Sequence, residues 1–337
     1  MSASSRRSFI QLSSAVLAGL GLPVAAAANR VESTQVELRD GSLTLPNNPL
    51  VLFDNFHSGN RRAYSWKAKL NAARAAGCDG FQIVMVDPDS DYWKDLMDMV
   101  PAYDFRSWGF HWNTGAVIDE KAHLLEEEID KMQRVIAALG RSPLRPFISF
   151  AIKGGGELFG GTIHESGSAK AEDRHWERAA RIVAAFDRAC RAANIEGALY
   201  PHTHWLCDTP ASQRKILADA EADWVQPAFC SHHWYAHKNN EELDELLLDP
   251  VMAKTNYVVL TNGRKSGDWF PATRFDRGEI DMAWLLAKLY AFGYQGPIAS
   301  QGWGIGGDPY VTAKAFVDGV RGLRERFIRQ PDLWPLL

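Results

Sequence analysis

The chain has 337 residues, of which 46% are hydrophobic and 23% charged, as is typical of a globular protein with a large core. Its formal net charge of -4 at pH 7, without a basic stripe, argues against a nucleic-acid partner. The four cysteines lack metal-type or short disulfide spacing, so the sequence requires neither a metal cluster nor a disulfide framework.

The first 28 residues have the pattern of an export signal. Arg6 and Arg7 precede a pair of apolar residues, and an apolar region, 15–27, ends in small residues suited to a signal peptidase. This arrangement resembles a twin-arginine signal and predicts a periplasmic protein. The apolar region is too short for a lasting membrane span, so we expect no membrane association after cleavage. Residues 29–48 are predicted to be a linker.

Strand and helix patterns alternate along residues 49–329. The predicted strands are 50–53, 81–86, 104–111, 146–152, 197–200, 224–229, 257–261 and 296–300. The predicted helices are 65–76, 92–100, 120–139 (ending at Gly140), 172–193, 210–221, 241–247, 281–292 and 311–326. Eight strand–helix pairs in strict alternation predict an α/β fold, a single-domain (β/α)8 TIM barrel, followed by a tail at 330–337.

Polar and aromatic residues follow most of the predicted strands, where a (β/α)8 barrel carries its chemistry. Pro201 ends the fifth strand and is followed by His202 and His204, and His233 follows the sixth strand. Several histidines at consecutive strand ends predict a site rather than isolated structural residues. The other strand-end residues are Asp54, His57, Asp87, His111, Trp112, Lys153, Asn262, Arg264, Gln301 and Trp303.

These residues are assigned roles by their chemistry. His202 and His233 are the predicted acid and base, because histidine titrates near neutral pH, and Lys153 is predicted to hold a developing negative charge. The predicted substrate-binding residues are Asp54, His57, Trp112, Asn262, Arg264, Gln301 and Trp303. Two alternatives stay open, because Asp54 and His57 would also suit a turn cap, and the tryptophans would also suit the core.

Several motifs resemble a known family over residues 50–323. They are Gly77-x-Asp79-Gly80-Phe81, Leu199-Tyr200-Pro201-His202, Phe229-x-x-x-His233-Trp234, Asn262-Gly263 and Gly293-Tyr294-x-Gly296-Pro297-Ile298-x-x-Gln301-Gly302. They resemble the xylose-isomerase-like TIM barrels called sugar phosphate isomerase/epimerases, and within them an exported bacterial subgroup. The resemblance implies a small carbohydrate substrate and proton transfer beside a sugar carbonyl.

The chain departs from this family at the metal ligands that the resemblance implies. Tyr200 stands where metal-dependent members have Glu, Cys230 where they have Asp, and Gln301 where they have a second Glu. The seventh strand offers an apolar residue in place of His, so only His233 is retained. The family's four-ligand site therefore does not carry over.

Two kinds of site remain open. A divalent metal, zinc or manganese, would be held by His202, His204 and His233, with Gln301 as a weak oxygen ligand. This set requires the chain to stay extended beyond the fifth strand, so that His202 and His204 share one face. Otherwise the site works without a metal, through histidine acid–base chemistry.

The expected function is that of a carbohydrate isomerase or epimerase. An exported location argues against a phosphorylated substrate and makes elimination from a keto-glycoside an alternative on the same barrel. A catalytically silent sugar-binding barrel is a second alternative. A glycoside hydrolase is less well supported, since Asp54 and Asp87 are the only obvious carboxylate pair.

Overall fold

Eight parallel strands close into a barrel in the computed structural model, which describes residues 45–56, 64–237, 250–267 and 269–331. The barrel strands are β1 (Leu50–Phe53), β2 (Gly80–Val84), β3 (Ser107–Thr114), β4 (Phe147–Ile152), β5 (Gly197–Leu199), β6 (Gln226–Cys230), β7 (Tyr257–Val259) and β10 (Ile298–Ser300). Strand β10 pairs with both β7 and β1, which closes the sheet. A short antiparallel hairpin, β8 (Asn262–Gly263) with β9 (Ala272–Thr273), lies between β7 and β10 in the chain. The predicted (β/α)8 barrel is confirmed.

Helices follow the strands as the periodicity predicts. They are α1 (Trp66–Ala76), α2 (Asp91–Met99), α3 (Leu125–Arg141), α4 (Asp173–Ala193), α5 (Pro210–Asp219), α6 (Ser231–Ala236), α7 (Met282–Ala291) and α8 (Pro309–Arg329). Short 3-10 turns lie at Val100–Ala102, Asp119–Leu124, Gly156–Leu158 and Gly167–Lys170. Helix α6 begins directly after β6, where no helix was predicted, and the predicted helix 241–247 lies outside the described residues.

Gly140 does not end α3 as predicted. The helix continues to Arg141, and Ser142 caps it by donating its hydroxyl to the Leu139 carbonyl at 2.8 Å. A Cβ on Gly140 would lie 2.9 Å from the Ala193 Cβ, so this glycine serves the close approach of α3 to α4.

The barrel interior holds small residues and three aromatic rings. Alanine or valine from most strands packs there with Phe147, Tyr200 and Tyr257, all buried. A larger apolar cluster fills the layer between the strands and the helices. Because the strands are buried on both faces, most of their residues are apolar, as in parallel barrel strands generally.

A chain of hydrogen bonds crosses the barrel interior below the strand ends. The Tyr257 hydroxyl donates to Gln82 Oε1, and Gln82 Nε2 donates to Ser149 Oγ at 2.8 Å. Ser149 Oγ lies 2.9 Å from Nδ1 of His111. These buried polar groups satisfy one another, so the chain of bonds fixes His111 from beneath.

The barrel domain begins before the predicted boundary at residue 49. Leu45 is buried, and Asn48 Nδ2 donates to the carbonyls of Tyr294 and Gly296 at 3.2 and 2.9 Å. The predicted linker is thus wrong over 45–48, because these residues pack on the barrel. The predicted export signal lies outside the described residues, as do residues 332–337 of the predicted tail.

The four cysteines are buried and unpaired. Among the helices that the structure describes, none combines the length and apolar character needed to cross a bilayer.

Candidate active site

His202 stands on a tight turn at the carboxyl end of β5. Its backbone N–H donates to the Cys207 carbonyl at 2.8 Å, and its own carbonyl accepts from Trp205 N–H at 3.1 Å. The imidazole stacks on the Trp205 indole with ring centroids 4.0 Å apart and 17° between the planes. The His233 ring lies on another side, with centroids 4.1 Å apart. The His202 ring is therefore held in one orientation by packing.

The hydrogen bonds around Thr203 define the tautomers of both histidines. His202 Nδ1 lies 2.8 Å from the Thr203 carbonyl, which only accepts, so Nδ1 carries the proton and Nε2 keeps a lone pair. His233 Nδ1 accepts the Thr203 N–H at 3.4 Å, so in the neutral ring its proton is on Nε2. The two rings differ in chemistry, since His202 presents a base and His233 a donor.

Burial keeps the site histidines neutral at pH 7. Desolvation, together with His232, His204 and Lys153, lowers the pKa of His202 to about 4, although the bond to Thr203 opposes this shift. The pKa of His233 is lowered well below its usual value, first by burial and then by the neighbouring histidines. A neutral imidazole has a ring nitrogen that can accept a proton, which an imidazolium lacks.

Lys153 and His111 interact electrostatically with the histidines of the site. Burial, His202 and Lys153 lower the pKa of His111 to about 3. Burial, and then the charge of Lys121, lowers the pKa of the half-buried Lys153. His111 was recognised at a strand end but given no role, because only its contact with Ser149 shows that it is oriented.

A cavity of about 480 Å³ opens beside His202, within the range usual for small-molecule sites. It is lined by Ile163, His202, Thr203, His204, Ala236, Ser266, Trp269, Phe270 and Pro271. Of the predicted site residues, His202 and His204 are in this wall. Lys153 and the buried His233 are not, although the His233 ring contacts His202. The aromatic lining from the loop after β8 was missed, although Trp269 carries the same signal as the tryptophans that were noted.

His204 does not form one ligand group with the other two predicted metal ligands. The chain turns after His202, and His204 has φ of 65°, a left-handed conformation that is uncommon outside glycine. Its ring lies between Phe159 and Trp269, with centroids 5.7 and 5.8 Å away. The extended chain required for His202 and His204 to share a face is therefore not formed.

Asp54, predicted to bind substrate, is held in a buried ion pair and is not in the cavity wall. The alternation of β1 directs Asp54 outward, where its carboxylate accepts from Lys69 Nζ at 2.7 Å, and both side chains are buried. The Lys69 ammonium also donates to the Tyr92 hydroxyl at 2.9 Å and lies 4.5 Å from the centre of the Trp66 ring. This pair ties β1 to α1 and α2. His57, predicted with Asp54, lies outside the described residues.

Asn262 organises a loop instead of binding substrate. Its amide nitrogen donates to the carbonyls of Phe275 and Ile280, and its oxygen accepts from the N–H groups of Gly263 and Ile280. With these four bonds the buried side chain has no capacity left for a ligand. Arg264 is exposed on the same loop and is not in the cavity wall.

The predicted tryptophan platforms divide into two cases. Trp112, predicted to bind sugar, is buried in the layer between strands and helices, where it stacks on Phe110 with centroids 6.2 Å apart and packs as a core residue. Trp303 is 61% exposed after β10 and is not in the cavity wall. Gln301 accepts from the Trp303 N–H at 3.2 Å, which commits its side-chain oxygen to the loop.

The predicted metal set does not fit a divalent ion. Within the described ranges, the one group of three His, Cys, Asp or Glu side chains with ligand atoms within 4.8 Å of one another is Asp119, Glu157 and His175. The ligand atoms of His202, His204 and His233 therefore do not all lie within 4.8 Å of one another, although the His202 and His233 rings are in contact, and Gln301 Oε1 accepts a backbone N–H.

Tyr200 and Cys230, at the ends of β5 and β6, offer a metal no anionic ligand either. The Tyr200 hydroxyl donates to Cys230 Sγ at 3.3 Å, so the two positions where the resemblance implies carboxylates contact each other. Burial raises the pKa of Tyr200 well above its usual value and that of Cys230 to about 11, so both are neutral. A neutral phenol and thiol there would leave the charge of an ion uncompensated.

Asp119, Glu157 and His175 form a loop contact near the barrel mouth. Arg174 donates two bonds to Asp119 at 2.8 and 3.0 Å, and Arg178 donates a third at 2.7 Å. These arginines hold the pKa of Asp119 well below its usual range. His175 lies 2.9 Å from Glu157. The guanidinium groups already compensate the carboxylates, so we assign this group to loop stabilisation.

The family model for the xylose isomerase-like TIM barrel matches residues 70–325. The chain therefore belongs to the xylose isomerase-like TIM barrel family, and the resemblance seen in its motifs is confirmed. No curated protein sequence matches the chain.

Solved structures with low sequence identity share the fold. An L-ribulose 3-epimerase is 16% identical, covering 85% of this chain and 97% of its own, with a TM-score of 0.65. A 3-keto-D-glucoside 4-epimerase from E. coli is 15% identical, covering 82% and 99%, with a TM-score of 0.62. A probable 3-DHS dehydratase from Bacillus anthracis is 11% identical, covering 81% and 98%, with a TM-score of 0.61.

Metal ions occur in two further structures with this fold. One contains zinc, with 16% identity, coverage of 82% and 99%, and a TM-score of 0.61. The other, from Mycobacterium smegmatis, contains magnesium, with 12% identity, coverage of 83% and 97%, and a TM-score of 0.59.

Proposed function

We propose that the chain is a carbohydrate-active enzyme of the isomerase or epimerase type, which transfers a proton beside a sugar carbonyl. The observation that carries this proposal is the neutral His202 ring, with its unprotonated Nε2, in the wall of a cavity and within reach of the Lys153 charge, which lowers the pKa of His202. The epimerases that share this fold support the reaction class.

In the proposed reaction, His202 Nε2 removes the proton from the carbon next to the carbonyl. The C–H electron pair forms an enediolate, and its negative charge lies on the former carbonyl oxygen. The Lys153 ammonium stabilises that oxygen, and the negative charge also favours the imidazolium that His202 becomes. Return of the proton from the His202 imidazolium to the neighbouring carbon, after a proton moves between the two oxygens, isomerises the sugar. Inversion of the same centre needs a proton delivered to the opposite face by water, and His202 then loses its proton to solvent.

His233 has a positioning role in this proposal. It is not in the cavity wall, and its ring supports His202 while Nδ1 accepts the Thr203 N–H. The Thr203 carbonyl in turn holds the His202 tautomer. If His233 itself transferred a proton, as predicted from the sequence, all variants that remove its imidazole would lose the rate equally.

Elimination from a keto-glycoside is the second candidate. It begins with the same proton removal, after which the carbanion electron pair forms a double bond and expels an oxygen substituent from the next carbon. Two structures with the same fold support this candidate. One is named as a 3-keto-D-glucoside 4-epimerase and the other as a probable 3-DHS dehydratase. The two candidates differ in product. The first gives an isomer of the substrate, whereas elimination gives an unsaturated sugar and a free alcohol.

Deuterium incorporation from D2O tests the proposal. We expect the chain to exchange the carbon-bound proton of a keto-sugar, with methyl 3-keto-D-glucoside and D-fructose as probes, and His202→Ala to slow exchange by about 10²- to 10⁴-fold. His233→Asn retains an acceptor for the Thr203 N–H and should keep most of the rate, whereas His233→Leu should not. Equal loss in both His233 variants would instead make His233 a proton donor.

Chelation separates this mechanism from a metal-assisted one. The residues at the barrel mouth favour a metal-independent reaction, so the rate of exchange should survive treatment with EDTA. Loss of the rate, with recovery on adding zinc or manganese, would contradict the metal-independent mechanism.

We also propose that the protein is exported to the periplasm by the twin-arginine route, on the basis of the arginine pair and the apolar region that follows it. Replacing Arg6 and Arg7 by lysine should retain the precursor in the cytoplasm, as measured by cell fractionation. Unchanged export of this variant would contradict the proposed route.

A further inference from the structure

We propose that an aromatic strip formed by Phe159, His204 and Trp269 binds a second sugar ring, so that the substrate is a neutral disaccharide or other glycoside. This inference rests on the proposed function for the reacting ring at His202. It adds a binding site beyond the reacting centre and narrows the class of substrate.

The three rings come from three different loops and meet in one place. Phe159 lies in the loop after β4, His204 after β5, and Trp269 in the loop that contains the hairpin. The His204 ring centroid is 5.7 Å from that of Phe159 and 5.8 Å from that of Trp269. Phe159 is 50% exposed and Trp269 60% exposed, which is unusual for large apolar side chains. Exposed faces in a common group are suited to stack on a ligand.

The backbone holds this strip in place before any ligand arrives. His204 has the left-handed φ noted above, a conformation that often accompanies ligand sites. A Cβ on Gly154 would lie 2.2 Å from the His204 carbonyl oxygen, so only glycine allows the β4 loop to approach this closely. His232 Nε2 donates to the Phe270 carbonyl at 2.6 Å and anchors the Trp269 loop to α6.

The strip is continuous with the reacting centre. His204 and Trp269 line the same cavity as His202, so a ligand bound at His202 extends over the strip. Among the described residues, the wall contains no lysine, arginine, aspartate or glutamate. Such a wall suits the C–H faces of a neutral sugar and offers no partner for a phosphate.

The binding of sugars of different length tests this inference. Isothermal titration of the full chain would compare D-glucose and D-galactose with the disaccharides cellobiose, maltose and lactose. We expect at least one disaccharide to bind about tenfold more tightly than its monosaccharide. Trp269→Ala and Phe159→Ala should each lower the affinity for that disaccharide by about 2- to 12-fold and change the affinity for the monosaccharide by no more than about twofold.

Phe292→Ala is the matched control. Phe292 is an exposed aromatic residue just after α7, in the segment that precedes β10. It should leave both affinities unchanged. The inference is overturned if no disaccharide binds more tightly than its monosaccharide, or if the strip variants weaken both equally. Deuterium exchange is a separate readout, so a chain that binds disaccharides through the strip without moving a proton would refute the proposed function alone.

Discussion

The buried pair of Asp54 and Lys69 offers a test of a structural role against a substrate-binding role. Lys69 Nζ lies 2.7 Å from Asp54 Oδ2, and the side chains are 0% and 3% exposed. Removing one partner of a buried ion pair leaves an uncompensated charge in apolar surroundings, which costs about 3–5 kcal/mol of unfolding free energy. We therefore expect Lys69→Met, which retains the aliphatic stem, to destabilise the chain by about this amount.

The second partner shows whether the loss comes from the charge. Adding Asp54→Asn removes the stranded carboxylate and should restore part of the stability, with a coupling energy of about 0.5–3 kcal/mol. Asn also retains an oxygen for the Phe56 N–H, which Asp54 Oδ1 accepts at 3.3 Å. Urea denaturation of both single variants and the double variant closes this cycle.

Sugar turnover completes the test. Folded Asp54→Asn should exchange the sugar proton at the native rate, because its side chain points away from the cavity. The reasoning would be refuted if Asp54→Asn kept full stability but lost sugar affinity, since Asp54 would then act on the substrate.

Two further predictions concern the histidine site. Because the pKa of His202 is lowered to about 4, its base form persists down to that pH. We therefore expect kcat/KM to stay level between about pH 5.5 and 7.5 and to fall only below about pH 5. A decline centred near pH 6.5 would contradict the burial of His202. Gly154→Ala places a Cβ 2.2 Å from a backbone oxygen, and we expect about 1–3 kcal/mol of destabilisation with a displaced His204 turn and reduced turnover. Gly322→Ala, in α8 where the Cβ meets nothing within 4 Å, is the control and should not destabilise the chain in the same urea assay.

Much of the barrel was predictable because its signals are local. The helices α1 and α4 begin and end within one residue of their predicted bounds, since Ser65 is a typical N-cap and Asn194 adopts the left-handed conformation common at helix ends. Gly140 shows the limit of such signals, because a glycine needed for helix contact resembles a glycine that ends a helix.

The location of the candidate site could be predicted from the sequence better than the residues that form it. Histidines at the ends of β5 and β6 predicted a site there, and the structure has a cavity lined by His202 and His204. The direction of each side chain was not readable, because barrel strands are apolar on both faces and hydrophobic alternation does not reveal which face is inward. Asp54 and Trp112 therefore looked like site residues, although the structure directs both into the outer layer.

The sequence by itself determined the barrel, its family and the strand ends where imidazoles collect, because these follow from short-range periodicity and motifs. Only the tertiary structure decided which of these groups face the cavity. The turn at His204, the contact of Tyr200 with Cys230, and the loop that brings Trp269 beside His204 all depend on residues distant in the chain. Side-chain direction beyond a strand end is set by such contacts, and no local pattern encodes them.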